Sequence, residues 1–288
     1  MRAVHEADMA QPSRSHRFDA AAARRRCRGY RRRILDISQQ VTALHVAPAF
    51  SCLEMVDLIY HGLMRRDPSS ETPGFVDNFL MSKGHGCLSQ YVILEDLGVL
   101  QKTDLDAYCT PGGRLGAHPD YGVPGIEAST GSLGHGMGIA TGMAYADRIK
   151  GDDRCTFVVL SDGELQEGST WEAMMMAANL GLGNLIGFVD LNDFGGLARM
   201  SEGHPAFYPL LDKVRAFGWE AAEVNGHNAQ AVYEGALGRS GKQPFMVIGK
   251  TVKGKGVSFM EHVPIWHYRS PNKEEYAKAI AELGEVAS

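Results

Sequence analysis

Two stretches decide the fold: CTFVVLSDGELQEG at residues 155–168 and LGNLIGFVDLND at residues 182–193. In each, a short apolar run ends abruptly in polar and acidic residues. Cys155–Leu160 and Leu185–Val189 therefore read as buried strands. Between them, Gln166–Leu180 places Trp171, Met174, Met175 and Ala178 at i, i+3, i+4 and i+7, a helix with those side chains in the core. Working outward, Trp219–Val224 and Phe245–Ile248 are two further apolar runs, with Ala206–Phe217 and Ala229–Leu237 as helices around them. Strands alternating with helices predict an α/β fold, a doubly wound and mostly parallel sheet flanked by helices. Ligands of such sheets sit beyond the carboxyl ends of the strands. The loops after Leu160, Val189 and Ile248 are where chemistry is to be sought.

The first 150 residues read as mostly helical, with periodic segments at Cys52–Met64 and Leu88–Leu97. Two unusual loops lie among them, Ser82–Gly86 and Gly112–Pro119. From Arg24 to Arg33, seven of ten residues are arginine. In a chain with 29 basic and 34 acidic residues, that run reads as the solvated face of an amphipathic helix. A polyanion site is the sharper alternative. The chain closes with a helix at Asn272–Leu283, with Pro271 before it and Glu274 and Glu275 in its first turn. Residues 1–19 are polar, lack the apolar core of a signal peptide and read as a disordered leader. With no repeat and no linker in sight, residues 20–288 read as one domain.

Composition excludes several classes. The net charge of −5 argues against a general nucleic-acid binder, and no run of 18 apolar residues suggests a membrane span. Cys27, Cys52, Cys87, Cys109 and Cys155 form no CxxC pair, and an odd, low count suits a reducing cytoplasm. The 34 glycines, about 12% against a typical 7%, suggest loops pressed against a ligand. Gly249-Lys250-Thr251 lacks the glycine loop of a Walker motif, and Gly181-Leu182-Gly183 precedes a strand instead of following one, so neither nucleotide fingerprint applies.

The first loop, Ser161-Asp162-Gly163-Glu164, follows a strand, and so does Asp190-Leu191-Asn192-Asp193-Phe194. Neighbouring parallel strands bring Asp162 and Asn192 to one sheet edge. A carboxylate, an amide oxygen and a nearby carbonyl make a hard oxygen site that leaves positions open for phosphate, which suits Mg²⁺.

Asp162-Gly163 followed by Asn192 resembles the thiamine diphosphate motif. Ser82-Lys83-Gly84-His85, Gly116-Ala117-His118-Pro119, the run from Gly125 to Gly136, Glu164–Gly168 and Lys250–Gly256 then resemble transketolase, in order, over residues 25–283. A complete transketolase is much longer, and the resemblance covers only its diphosphate-binding half. It implies thiamine diphosphate as cofactor, with Mg²⁺, or Ca²⁺ or Mn²⁺ in its place. Asp162, Asn192 and the Phe194 carbonyl would hold the metal. Gly131, Ser132, Leu133, Ser161, Asp162, Gly163, Glu164 and Asn192 would line the cofactor. His45, His85, His118 and His267 match active-site histidines, which donate to sugar oxygens and move protons near neutral pH. Glu167 matches a glutamate of a carboxylate network across a dimer interface. His227 matches a family loop without an assigned role. The resemblance further implies a partner, a C-terminal subunit with the pyrimidine-binding domain, in an α2β2 heterotetramer acting on a sugar or sugar phosphate.

Three departures stand out. Ser161 replaces a glycine, Leu44–Ala49 with Pro48 replaces a glycine-rich loop and is expected to narrow the space beside the reacting carbon, and Tyr268 stands where a small residue is usual. They suggest a donor or acceptor other than the ordinary pentose phosphates. Two rival readings remain at this point, a 2-oxo acid donor on the same cofactor and a non-catalytic homologue.

Overall fold

The computed structural model describes residues 18–41, 44–67 and 74–284. Residues 1–17 of the expected leader and residues 285–288 lie outside them. Phe18 stacks on Tyr233 with ring centroids 5.2 Å apart, and the Asp19 carboxylate accepts from the Ala21 and Ala22 N–H groups at 2.9 and 3.0 Å, capping the first helix.

In chain order the elements are α1 (Ala20–Ser38), α2 (Val46–Leu58), β1 (Asn78–Met81), α3 (Cys87–Asp96), α4 (Lys102–Asp106), α5 (Gly136–Lys150), β2 (Thr156–Ser161), α6 (Gly168–Leu180) and β3 (Leu185–Leu191). A small hairpin of β4 (Phe194–Gly195) and β5 (Ala198–Arg199) follows, then α7 (Met200–Gly203), α8 (Leu210–Ala216), β6 (Glu220–Asn225), α9 (Ala229–Leu237), β7 (Phe245–Lys250) and α10 (Lys273–Leu283). The main sheet is entirely parallel, in the order β1-β2-β3-β7-β6. Successive side chains of a strand point to opposite faces. Phe157, Val159, Ile186, Phe188, Phe245 and Val247 accordingly join a core beneath α1, α2, α3 and α9. Val158, Leu160, Leu185, Val189, Met246 and Ile248 join a second core beneath α5, α6 and α8. Both faces are covered, which is the doubly wound arrangement expected.

Four expectations need correction. The sheet has a fifth strand, β1, which is only four residues long and too short to show a period. The helix expected at Ala206–Phe217 starts at Leu210, because Pro209 offers no N–H and keeps the residue before it out of helix. In α6 the buried side is Thr170, Met174 and Ala177, while Met175 and Met176 are 48% and 54% exposed. Trp171 sits at the flank, on Phe217 at 4.8 Å, with its Nε1 donating to the Leu165 carbonyl at 2.8 Å, and this sets the rotation of the helix.

The arginine run is also not a simple solvated face. Arg31 is buried, 2.7 Å from Glu54 of α2. Arg26 binds Asp57 at 2.7 Å through a bidentate fork, and Arg33 binds Glu95 at 2.9 Å and Asp106 at 2.8 Å. Arg24, Arg25 and Arg28 are the exposed ones. Three of the seven thus lock α1 to α2, α3 and α4.

Glycine marks one tight crossing. A Cβ at Gly183 would stand 1.8 Å from the Gly241 carbonyl oxygen, where two approach loops to the sheet meet. Gly142, on the open side of α5, has nothing near its missing Cβ. Gly183→Ala is expected to cost about 1–3 kcal/mol by overpacking against backbone. Gly142→Ala is expected to raise the stability of the isolated chain by up to about 1 kcal/mol through helix propensity. Urea denaturation of the two variants checks both signs.

Candidate active site

The carboxyl ends of β1, β2, β3 and β7 lie side by side and release four loops at one edge. β1 ends into Ser82-Lys83-Gly84-His85, β2 into Asp162-Gly163, β3 into Asn192-Asp193-Phe194 and β7 into Thr251-Val252-Lys253. At the bottom of this edge Lys83 and Asp190 form an ion pair at 2.5 Å, and neither side chain is exposed at all. Asp190 also accepts from the Ser51 hydroxyl at 2.5 Å, from Asn192 Nδ2 at 3.0 Å and from the Thr251 hydroxyl. Burial alone pushes its carboxyl up, but Lys83 and these donors hold it below the usual carboxylate range.

Above this pair four histidines converge. The His45 ring, at the N-terminus of α2, lies 5.7 Å from His85, 5.8 Å from His118 and 5.4 Å from His267, centroid to centroid. His85 and His267 are themselves 5.4 Å apart. Tyr268, 53% exposed, lies 4.6 Å from His45 and forms the outer wall. Burial first, then the positive neighbours His118, Lys83 and Lys253, push His45 down to about 4. Burial and Lys253 push His267 to about 3, and burial and Lys83 push His85 well below its ordinary value. These imidazoles are therefore neutral at pH 7, each able to donate from one nitrogen and accept at the other. His45 Nδ1 is buried without a hydrogen-bond partner.

Lys253 reaches into the same space. Its Nζ is 2.7 Å from His267 Nδ1, donates to the Gly196 carbonyl at 2.8 Å and lies 5.0 Å over the Phe194 ring. Among the described residues no carboxylate pairs with it. Burial and nearby Lys83 lower it to about 8. It is a buried cation in need of an anion.

The opposite pole is Asp162. Its oxygens accept only from the Gly163 and Asp193 N–H groups, at 2.9 and 2.5 Å. Burial and Asp190 push its carboxyl up to about 7. Asn192 Oδ1 accepts from the Phe194 N–H at 3.1 Å. A Cβ built on Gly163 would lie 3.5 Å from the Phe194 carbonyl oxygen and 3.2 Å from Gly195 Cα, a tight contact that the bare glycine avoids. One carboxylate, one amide oxygen and one carbonyl thus cluster beside a glycine, and among the described residues the carboxylate is in no ion pair. This donor set fits a hard divalent cation and an attached phosphate. Among the described residues no cluster of three His, Cys, Asp or Glu side chains could chelate a metal by itself.

The remaining expected residues spread around this centre. Gly131, at φ 132°, is pressed on His118, since a Cβ there would lie 2.6 Å from its Cδ2. A Cβ on Gly84 would collide with Gly131 at 2.7 Å, so these two loops meet through bare backbone, with the His118 ring against them. Leu133 is half-buried and Ser132 exposed on the same loop. Ser161 Oγ accepts from the Glu164 N–H at 3.3 Å and so braces the turn after β2. Glu164 is buried, and its side chain accepts from the Ser82 hydroxyl and the Gly134 N–H at 3.0 Å, tying two loops together. Glu167 is exposed at the start of α6. The expected narrowing by Val46, Ala47, Pro48 and Ala49 is corrected. These four form the first turn of α2 and are buried, so Tyr268 and not this turn borders the open space. Lys83, Asp190, Thr251 and Lys253 were missed as site residues. The signal for them was a carboxylate inside an apolar strand and lysines within the glycine loops.

The model of the transketolase thiamine diphosphate-binding domain matches residues 24–284. The chain belongs to the transketolase family. It is 35% identical over 257 residues to one subunit of an apulose-4-phosphate transketolase from Phocaeicola vulgatus, covering 88% of this chain and 91% of that one. It is 37% identical over 245 residues to a 6-deoxy-6-sulfo-D-fructose transketolase subunit from Clostridium sp. strain MSTE9, covering 83% and 88%. Human transketolase is 32% identical over 248 residues, and there the match spans only 38% of the longer chain. The solved transketolase of Leishmania mexicana superposes with a TM-score of 0.79 at 27% identity, over 93% of this chain and 42% of that one. The family fold and the sheet derived above agree.

Replacing one partner of the buried Lys83–Asp190 pair leaves the other charge uncompensated. Lys83→Met is expected to destabilise the chain by about 3–5 kcal/mol, and Lys83→Met with Asp190→Asn to recover part of that loss. Asp162→Asn removes a buried carboxylate but sets an NH₂ group against one of the two N–H groups that Asp162 accepts, and is expected to leave the metal-free chain within about 1 kcal/mol of the parent at pH 7. The same variant should lose any rise in thermal midpoint on addition of MgCl₂. Thermal and urea melts with and without the salt check all three.

Proposed function

We propose that this chain is the diphosphate-binding subunit of a two-chain, thiamine diphosphate-dependent transketolase that moves a two-carbon ketol unit from a ketose or ketose phosphate to an aldehyde. The observation that carries this reading is the meeting of four histidines, an unpaired Lys253 and the Asp162–Asn192–Phe194 oxygen cluster at one sheet edge. Residues 20–288 make up the domain, with Asp19 as its first cap.

Asp162, Asn192 and the Phe194 carbonyl would hold Mg²⁺, and Lys253 with His267 would meet the diphosphate. Gly131, Leu133 and Gly163 would let the cofactor lie against backbone. Thiamine diphosphate, when bound, supplies the carbon nucleophile that breaks the bond beside the ketose carbonyl. His45, His85, His118 and His267 surround the space in front of it. His45, His85 and His267, as neutral imidazoles, donate N–H groups to the sugar oxygens and accept the protons those oxygens shed, so charge developing on oxygen is met in a water-poor setting. Tyr268, outermost on His45, faces the part of the sugar furthest from the reacting bond.

A second chain completes the proposal. The relatives of similar length are named as transketolase subunits. Next to the site, α5 and α6 present bare Gly138 and Gly142 with exposed Tyr145, Ile149, Met175 and Met176, a surface suited to close packing by another chain. We assign that partner as a C-terminal transketolase subunit in an α2β2 assembly, with Glu167 at the contact. The five cysteines are free thiols, in keeping with the cytoplasm, and among the described residues no helix is long and apolar enough to cross a membrane.

Calorimetric titration of thiamine diphosphate with MgCl₂, into the chain alone and into a mixture with a candidate C-terminal subunit, tests the reading. Tight binding in the mixture alone, followed by ketol transfer between sugars, is the expected result. Release of carbon dioxide from pyruvate would instead select a 2-oxo acid donor, and absence of binding in both cases would select a non-catalytic homologue. Lys253→Met is expected to weaken cofactor binding by about 1.5–3 kcal/mol, the worth of a hydrogen bond to a charged group.

A further inference from the structure

His227 lies outside the histidine cluster, in the turn Asn225-Gly226-His227-Asn228 between β6 and α9. This turn is built to touch the loop after β7. Gly226 N–H donates to the Lys250 carbonyl at 2.8 Å. A Cβ on Gly226 would lie 2.5 Å from Thr251 Cγ2 and 3.2 Å from Gly249 Cα, so the approach requires glycine. The His227 side chain then crosses to the same loop, and its Nε2 accepts from the Val252 N–H at 2.8 Å. A backbone amide can only donate, so Nε2 carries no proton and the ring proton sits on Nδ1. Nδ1 donates to Glu54 Oε2 at 3.0 Å. Glu54, on α2, is held in turn by buried Arg31 of α1, at 2.7 Å to Oε1 and 3.0 Å to Oε2. The Arg31 guanidinium is itself fixed on the Phe50 carbonyl at 3.0 Å.

This chain of bonds ends one residue before Lys253. Thr251 N–H is bonded to the Leu191 carbonyl at 3.0 Å, and Gly254 N–H to the Ala47 carbonyl at 3.2 Å. Between them Val252 N–H has the imidazole as its partner. We propose that His227 is a positioning residue: through Arg31, Glu54 and a fixed imidazole tautomer, the α1–α2 pair sets the Val252 backbone and thereby aims Lys253 into the anion pole of the site. The part of this inference that concerns the anion rests on the role proposed above for Lys253. The clamp on Val252 stands on the geometry alone.

The two ring nitrogens can be tested separately. Glutamine can place an oxygen where Nε2 is and accept from Val252, whereas asparagine reaches only as far as Nδ1. Hydrogen exchange of the full chain, read by mass spectrometry over residues 250–256, should rise by about tenfold or more in His227→Asn and stay near the parent in His227→Gln, with β2 and β3 unchanged in both. Equal exchange in the parent and His227→Asn, equal loss in both variants, or a rise spread over the whole sheet would each overturn the proposal. Binding of magnesium pyrophosphate by calorimetry separates the second part. His227→Asn and Lys253→Met are expected to weaken it alike, by about tenfold, and His227→Gln to leave it unchanged. If Lys253→Met binds like the parent, the anion role of Lys253 fails, and the clamp is judged by the exchange data alone.

Discussion

The architecture of the site depends on one buried ion pair, Lys83 with Asp190. Removing two charges from water costs several kcal/mol per ion, and the pair repays this only where every remaining donor and acceptor is satisfied. Here the satisfaction comes from three different parts of the chain: the Pro48 carbonyl and Ser51 hydroxyl of α2, Asn192 after β3 and Thr251 after β7. The groups that neutralise Asp190 are thereby the groups that set where each loop leaves the sheet. Asn192 is oriented by Asp190 through its Nδ2, which turns Oδ1 the other way, toward the Phe194 N–H and the oxygen cluster. Thr251 anchors the loop that carries Lys253, and Lys83 itself leads into His85. An apolar pair of the same volume could support the sheet but could not fix these directions.

Above that base the charges are unbalanced in a consistent way. Among the described residues Lys253 has no carboxylate partner, three histidines are held neutral by burial and by their neighbours, and Asp162 is raised by burial and by Asp190. A protein site at rest normally compensates buried charge within itself. This one separates a positive pole, Lys253, from a negative pole, Asp162 with its oxygen neighbours. A metal diphosphate has the same two poles reversed, and this match supports the cofactor assigned to the edge.

β2, β3 and β7 were legible as apolar runs because both faces of the parallel sheet are covered there, whereas the edge strand β6, half-buried and carrying Glu220 and Glu223, gave a less regular run. β1 was not legible, since four residues cannot declare a period. The methionine run misled because the helix buries one stripe only, and Trp171 at its flank rotates Met175 outward. The arginine run misled for a related reason: acidic partners on α2 and α3 are distant in sequence, and composition does not show pairing. Asp162, Asn192 and the four histidines were legible because they sit in motifs. Lys253, Asp190 and the clamp of His227 on Val252 were not, as each depends on contact between segments that only the folded sheet brings together.

The departures from the family pattern separate by burial. Ser161 is buried and its hydroxyl braces the Glu164 amide, so it acts on the turn that presents Asp162 and Gly163. Val46, Ala47, Pro48 and Ala49 are packed into the first turn of α2, where Pro48 needs no N–H and its carbonyl serves Lys83. Both changes alter the frame and leave the open space untouched. Tyr268 is different in kind: half its surface is free, it rests on His45, and it follows His267 directly. A ring in that position adds an apolar face and a hydroxyl beside His45, at the cost of room. On the function proposed above, Tyr268 is the departure placed to act on sugar selection, while the replacements behind it belong to the frame around the histidine that it covers.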